Sequence, residues 1–472
     1  MKRTHRRFRL TPALLGALLA LGASTAAVDA RQGGDFVPHE LVCSVVSGVY
    51  IDSINTRYGT TTKDVIDTGL FTYFSYLLRV PEELDVDSLA NAIALDSEVL
   101  YCSPNYILDA PEPVQRSQPF LDVTGEPEVT EQAAAMRLNL STAQAQSTGT
   151  GVMVAVIDAG VDAAQPMLAG SVLSGIDYVD SDTTAHDEPG GAASGHGTFV
   201  AGVIHLVAPE AQIVPYRVID TVGRGDGFSI AKAIIDAVAR GCKVINISLV
   251  MSGTHASMDE AIEYARYRDV VVVGAAGNDS SSAPRFPADD SYCVGVAALD
   301  SVDLKADFSN FGSHIDLCAP GKDIKGPFLD SLFARWSGTS FAAPFVSGTA
   351  ALLFAVRPAA SFGDLVDLLK VTAEDVDALN PLYVGKLGSG IVSPQGAVAA
   401  WWAASGDVDA SGAITSADIV YLINHVFKSG PAPTEPNNGD VDGSCVVSAD
   451  DVIYLVDYVF KGGAAPEAGC VH

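Results

Sequence analysis

Between residues 136 and about 404 the sequence alternates short, almost wholly apolar runs with segments of helical periodicity. The apolar runs cover 152–157, 213–218, 244–247, 270–274, 293–297 and 315–318; the helical ones cover 198–207, 229–240, 257–267, 340–356 and 362–371. A strand with one wet face alternates apolar with polar residues, whereas a strand apolar throughout is covered on both faces. Such strands separated by helices specify an α/β domain, with a mostly parallel sheet between two helical layers. Ahead of it, residues 31–108 read as a small α+β unit: strands near 41–46, 71–80 and 99–107, helices near 51–58 and 87–96. Between the two, residues 109–135 carry prolines 111, 113, 119 and 127, which predicts an exposed linker and a natural place for a processing cut.

The extreme N-terminus has a different character. Lys2, Arg3, Arg6, Arg7 and Arg9 precede an apolar stretch over 10–21 and then small residues up to Ala30. That order is the order of a secretory signal over 1–30. Its apolar core is short for crossing a bilayer, so the expectation is an exported protein with no membrane span once the signal is removed. With 28 basic against 57 acidic residues the net charge is −29, which repels phosphate and argues against a nucleic-acid partner. Seven cysteines agree with an oxidising compartment. Cys43 and Cys102 bracket the first unit, Cys293 and Cys318 lie in strand-like runs able to pair, and one thiol must remain over.

Three segments put a reactive side chain at a strand end or a helix start. Asp158 follows the apolar run 154–157, His196 sits in Gly195-His196-Gly197-Thr198, and Ser340 sits in Gly338-Thr339-Ser340-Phe341-Ala342-Ala343-Pro344. A serine hydroxyl becomes a useful nucleophile when an imidazole takes its proton, and the imidazole needs a carboxylate to fix its tautomer. Asn278, in Ala275-Ala276-Gly277-Asn278 after the apolar run 270–273, offers an amide donor for a developing oxyanion. Taken singly, each residue is an ordinary turn or helix cap. Together, in the order Asp–His–Ser on an α/β pattern, they point to acyl transfer.

These segments resemble the subtilases, the subtilisin-like serine endopeptidases, over 136–403. The resemblance rests on residues 154–160, 196–202, 244–249, 275–278 and 338–344. It implies Asp158 as the orienting carboxylate, His196 as general base and acid, Ser340 as nucleophile and Asn278 as oxyanion donor. It also implies that Ser248, Leu249, Ala275, Ala276 and Gly277 line the subsites for protein or peptide substrates. Three positions depart from the family pattern: Ala159 replaces a Ser or Thr, Gln165 replaces a His, and Val250-Met251 follow Ser248-Leu249 where a glycine is usual. Residues 101–106 and 55–60 are similar to a subtilase propeptide, implying an inhibitory unit that is cut away. The competing reading is a catalytically silent subtilase fold serving as a surface binding or scaffold component. The complete set of four reacting groups weighs against it.

The tail, 404–472, repeats itself with a period of 33 residues: Gly406-Asp407-Val408-Asp409 recurs as Gly439-Asp440-Val441-Asp442, and Val426-Phe427-Lys428 as Val459-Phe460-Lys461. In the first copy Asp407, Asp409, Ser411, Ala413, Thr415 and Asp418 fall at positions 1, 3, 5, 7, 9 and 12 of a loop with Gly412 at the bend. In the second, Asp440, Asp442, Ser444, Val446 (by its carbonyl), Ser448 and Asp451 do the same, but Cys445 takes the bend position, so this site is expected to be distorted or weaker. That spacing wraps oxygens around Ca²⁺. The region is similar to a type I dockerin domain, a family with aspartate at position 12. The resemblance implies two calcium sites and docking onto a cohesin-type module or a cell-surface scaffold.

Overall fold

The computed structural model describes residues 35–67, 74–114, 117–403, 406–408, 414–433, 436–444, 446–464 and 466. The signal expected over 1–30 lies outside them, as do Asp409, Ser411, Ala413 and Cys445. The described residues from Phe36 onward form one compact unit.

The chain opens with β1 (Phe36–Val45), α1 (Ile51–Tyr58), β2 (Thr61–Ile66), β3 (Ser75–Arg79), α2 (Val86–Ala94) and β4 (Val99–Asp109). The strands form one antiparallel sheet in the order β2-β3-β1-β4. The edge strand β2 left no signal in the sequence because it is exposed at four of six positions and buries Ile66 alone, too little to impose alternation. Cys43 and Cys102 face each other in the β1–β4 register and are joined as a disulfide.

The stretch 109–135, expected as an exposed linker, is largely built into the molecule. Pro111–Val114 form a helical turn with Glu112 wholly buried, and β5 (Phe120–Val123) pairs with a later strand. Val129 is in the core, and Gln132 brackets Lys325 by donating to its carbonyl and accepting from its N–H. The prolines misled because Pro111 and Pro127 occupy the first turns of helical segments, where the missing N–H has no intrahelical partner to lose.

The main domain comprises β6 (Met153–Asp158), β7 (Ile176–Asp177), α3 (His196–Val207), β8 (Gln212–Arg217), β9 (Arg224–Asp226), α4 (Gly227–Ala239), β10 (Val244–Ile247), α5 (Ala256–Tyr267), β11 (Val271–Ala275) and β12 (Cys293–Leu299). It continues with β13 (Leu317–Pro320), β14 (Ile324–Pro327), β15 (Phe333–Trp336), α6 (Ala343–Val356), α7 (Phe362–Val371) and α8 (Pro394–Ala403). Seven strands form a parallel sheet in the order β13-β12-β11-β10-β6-β8-β7. Side chains alternate across β6: Val154 and Val156 enter the core with Phe199, Val203 and Leu352, while Ala155 and Ile157 enter the opposite one with Ile234 and Ile262. Strand β6 has β8 on one side and β10 on the other, so the chain reverses its winding there and leaves a crevice beyond the carboxyl ends of the strands.

Cys293 and Cys318, read as able to pair, are free and buried. The β12–β13 register sets Cys318 opposite Ala297, four residues along the strand from Cys293 or about 13 Å. Among the described residues one stretch, Thr339–Val356, is long and apolar enough to cross a membrane, and it is the buried helix of this core.

In the tail, α9 (Ser416–Lys428) and α10 (Ala449–Lys461) pack on a small core of three residue pairs related by the 33-residue repeat: Val408 with Val441, Ile419 with Val452, and Leu422 with Leu455.

Candidate active site

The three reactive residues arrive in the crevice from three elements. Asp158 ends β6, His196 begins α3, and Ser340 lies in the 3₁₀ turn Thr339–Phe341 just before α6, whose first turn holds Pro344. The strand end and the helix start can approach closely because both are glycine there. Gly160 has φ +92°, and a Cβ on Gly197 would lie 2.1 Å from the Gly160 carbonyl.

His196 Nδ1 is 2.7 Å from Asp158 Oδ1, which also accepts from the Ala159 N–H at 2.7 Å. Asp158 Oδ2 is buried without a hydrogen-bond partner, and the neighbouring Ala159 has no hydroxyl to offer it. The imidazole is fully buried and packs edge-on against Trp336 at 5.7 Å. Burial opposes a charge on His196, but Asp158 at Nδ1, with Glu112 at Nε2, overrides it and raises the pKa to about 10.

Asn278 is aimed by Thr339, whose N–H and Oγ1 both donate to Asn278 Oδ1 at 2.9 Å. Its Nδ2 is thereby turned into the crevice, where it donates to Glu112 Oε1 at 2.9 Å. The loop that carries it needs Gly277, at φ +95°, and is braced by the buried Asn310. Asn310 Oδ1 accepts from the N–H groups of Asp279 and Ser281, and its Nδ2 donates to the Ala276 carbonyl, each at 2.9 Å.

Ser340 Oγ donates to Glu112 Oε2 at 2.7 Å and lies 3.2 Å from the Ser248 carbonyl. His196 Nε2 is 3.1 Å from the same Glu112 oxygen. One carboxylate therefore bridges the hydroxyl, the imidazole and the amide. Gly338 leaves the room, since a Cβ there would fall 1.8 Å from Glu112 Oε1.

The five expected subsite residues face the protein interior or its backbone. Ser248 Oγ donates to the Ser340 carbonyl and accepts from Asn246 Nδ2, so its side chain holds the Ser340 backbone. Leu249, Ala275 and Ala276 are buried in the core, and the Gly277 N–H donates to Thr339 Oγ1. The next residue, Val250, pairs with the extended end of β4. Asp109 and Val250 exchange two backbone hydrogen bonds, Ala110 N–H donates to the Gly223 carbonyl, and β4 pairs with β9 through residues 107–109. Leu108 and Ala110 are fully buried there, in the same cluster as Ile219, Leu249 and Met251. The N-terminal unit is also fastened to α4 and α5, by Lys232 to Asp64 at 2.5 Å and by Ser75 Oγ and Tyr101 OH to Glu260 at 2.5 and 3.1 Å.

Three buried residues of the site escaped sequence reading: Glu112, Asn310 and Asp187. Asp187 accepts from Gly195 N–H, Thr198 N–H and Thr198 Oγ1, which fixes the start of the helix bearing His196; burial pushes its carboxyl up to about 7. Gln165, in place of the family's histidine, donates to the carbonyls of Phe328 and Leu332.

In the tail, Asp440, Asp442 and Asp451 bring ligand oxygens within 4.8 Å of one another. Three carboxylates in that arrangement have the donor chemistry that suits a hard divalent cation. Ser444, Val446 and Ser448 lie in the same loop; Ser444 N–H donates to Asp440 Oδ1, and Ser448 N–H to Asp451 Oδ2. Of the first set, Asp407, Thr415 and Asp418 are described; Asp418 accepts from Thr415 N–H, as Asp451 does from Ser448, so each position-12 aspartate also caps its helix.

The model of the subtilase family matches residues 149–390, and that of the dockerin type I domain matches residues 405–460. Thermitase of Thermoactinomyces vulgaris is 39% identical over 215 residues, covering 43% of this chain and 75% of that protein. Subtilisin BL of Lederbergia lenta is 34% identical over 259 residues, 53% of this chain and 91% of that protein. Among solved structures, a protease from Pseudoalteromonas arctica is similar at 30% identity and TM-score 0.54, covering 59% of this chain and 99% of that one. Fervidolysin from Fervidobacterium pennivorans shares the fold at 24% identity and TM-score 0.64, over 78% of this chain and 62% of that one. The chain belongs to the subtilase family of serine endopeptidases and carries a dockerin type I region at its C-terminal end.

Proposed function

We infer that the protein is an exported endopeptidase made as an inhibited precursor. Asp158 holds His196 in the tautomer that can take the Ser340 proton at Nε2. Ser340 Oγ then attacks the substrate carbonyl, and the oxyanion is received by Asn278 Nδ2 and the Ser340 N–H. His196 returns the proton to the leaving amine, and water hydrolyses the acyl-enzyme by the same path reversed. The observation that carries this reading is the convergence of Ser340 Oγ, His196 Nε2 and Asn278 Nδ2 on one carboxylate, with Asp158 behind the imidazole. Casein hydrolysis by the wild type and by Ser340→Ala tests it; equal activity in the two defeats the mechanism.

The N-terminal unit acts as the propeptide. Its support is the strand laid along Val250 and Gly223, where an extended substrate would lie. Release by a cut ahead of β5 leaves the rest of the chain its three-stranded sheet, so N-terminal sequencing of the secreted enzyme is expected to start between residues 113 and 120. A start near residue 31 counts against processing.

The tail binds two Ca²⁺ ions, through Asp407, Asp409, Ser411, Ala413, Thr415 and Asp418 in one loop and Asp440, Asp442, Ser444, Val446, Ser448 and Asp451 in the other. Repeat-related apolar side chains stand exposed on its two helices, Val420 with Ile453 and Phe427 with Phe460, and suit a cohesin-type partner. Calorimetric titration of the full-length Ser340→Ala chain with Ca²⁺ tests the metal sites; absence of heat refutes them.

A further inference from the structure

We propose that the catalytic centre is also a carboxylate-binding site, and that Glu112 is its built-in ligand: a side chain, rather than a scissile carbonyl, fills the oxyanion position and holds the precursor silent. The inference rests on the triad reading above and adds to it a ligand class and the residue that supplies it.

The geometry distinguishes Glu112 from a substrate about to be cut. A substrate crosses a serine protease extended, with its carbonyl oxygen between the oxyanion donors. Here the chain runs extended only as far as Asp109, then turns into the helical segment Pro111–Val114. The Glu112 carbonyl is committed elsewhere, accepting from the Ser117 N–H at 2.9 Å. What enters the centre is the side chain. Oε1 takes the Asn278 amide at 2.9 Å; Oε2 takes the Ser340 hydroxyl at 2.7 Å and faces His196 Nε2 at 3.1 Å.

This contact disables both reacting groups. Ser340 Oγ–H points at a carboxylate in place of the imidazole, so the proton it must surrender has no path to His196. The imidazole, between Asp158 and Glu112 and sealed from water, is held as a cation and has no lone pair to offer. The oxyanion donor is occupied by a full negative charge, the kind of ligand that site is built to receive. Glu112 has no exposed surface, and among the described residues these partners are what satisfies its charge.

The test uses the full chain and a fluorophosphonate, which labels a serine hydroxyl only when that hydroxyl is activated. Wild type, Glu112→Gln, Glu112→Ala and Ser340→Ala are exposed to the probe, and labelling of the full-length band is followed before any processing. Glu112→Gln keeps shape and removes the charge; Glu112→Ala removes the side chain and serves if the first variant fails to fold. The expected result is labelling of either variant at least tenfold faster than wild type, with no label on Ser340→Ala. Equal rates in wild type and the Glu112 variants, with Ser340→Ala still silent, overturn the proposal and leave the triad standing. Label on Ser340→Ala overturns the triad reading itself.

Discussion

Asn310 has no exposed surface, yet its removal is expected to lower turnover. In Asn310→Ala the Ala276 carbonyl loses a 2.9 Å donor, and the N–H groups of Asp279 and Ser281 lose their acceptor. Ala276 is fully buried, and a buried polar group without a partner costs about 1–3 kcal/mol. The two N–H groups lie nearer the surface and cost less, which puts the total loss of stability at about 2–4 kcal/mol. The same loop sets the direction of Asn278. Losing an oxyanion donor outright costs about 2.7–4 kcal/mol, a figure that comes from subtilisin itself, a relative of this protein. Asn310→Ala keeps the amide and loosens its aim, so kcat is expected to fall about 10- to 100-fold, below that ceiling. Because an oxyanion donor acts in the transition state, KM should stay within about twofold. The assay is hydrolysis of a chromogenic peptide by processed wild type, Asn278→Ala, Asn310→Ala and the double variant. If Asn310 acts through Asn278, the double variant is no slower than Asn278→Ala. A fully additive double variant, or an unchanged kcat in Asn310→Ala, refutes the reasoning.

Other consequences follow from the same geometry. His196 is raised from an ordinary 6.5 to about 10 while the carboxylates flank it, so the stabilisation they gain is complete below pH 6.5 and lost as pH rises through about 10; labelling of the wild-type precursor at Ser340 should climb across that interval, and a flat profile contradicts it. Reducing the Cys43–Cys102 disulfide, which joins β1 to β4, should destabilise the N-terminal unit by about 2–4 kcal/mol and speed activation, read as the lag before casein clearing. Asp442→Asn leaves Asp440 and Asp451 with one carboxylate fewer around a cation, and calorimetry should report at least tenfold weaker Ca²⁺ binding at one site, with casein hydrolysis unchanged.

The fold of the main domain was legible because its strands are buried on both faces, which leaves uninterrupted apolar runs that cannot be mistaken for loops. The reacting groups were legible because each sits at a strand end or helix start among glycines, as at Gly195-His196-Gly197. What sequence could not supply is contact between distant segments. Glu112 meets His196 and Ser340 across 84 and 228 residues, and nothing around a glutamate between two prolines marks it as buried. Asp187 and Asn310 act mainly on backbone groups, and any side chain of the same type has that capacity. Nor does sequence say which way a side chain faces: Ser248 and Leu249 turn inward to the Ser340 backbone and the core, while Val250 pairs with Asp109.

Two separable devices thus reach from the N-terminal unit into the crevice, and they answer to different competitors. The strand pairing at Asp109 and Val250 is backbone chemistry, which any extended peptide reproduces, so substrate competes for it directly. The Glu112 carboxylate occupies groups that a peptide engages only as it reacts. An incoming substrate can displace the strand without freeing Ser340, because the carboxylate is tethered three residues away and stays at high local concentration. Cutting the chain ahead of β5 removes that tether on one side only. Inhibition should therefore outlast the cut until the N-terminal unit dissociates or is degraded, and dilution of freshly cut enzyme should restore activity faster than dilution of uncut precursor does. If both recover at the same rate, the tether contributes nothing and the strand alone accounts for the inhibition.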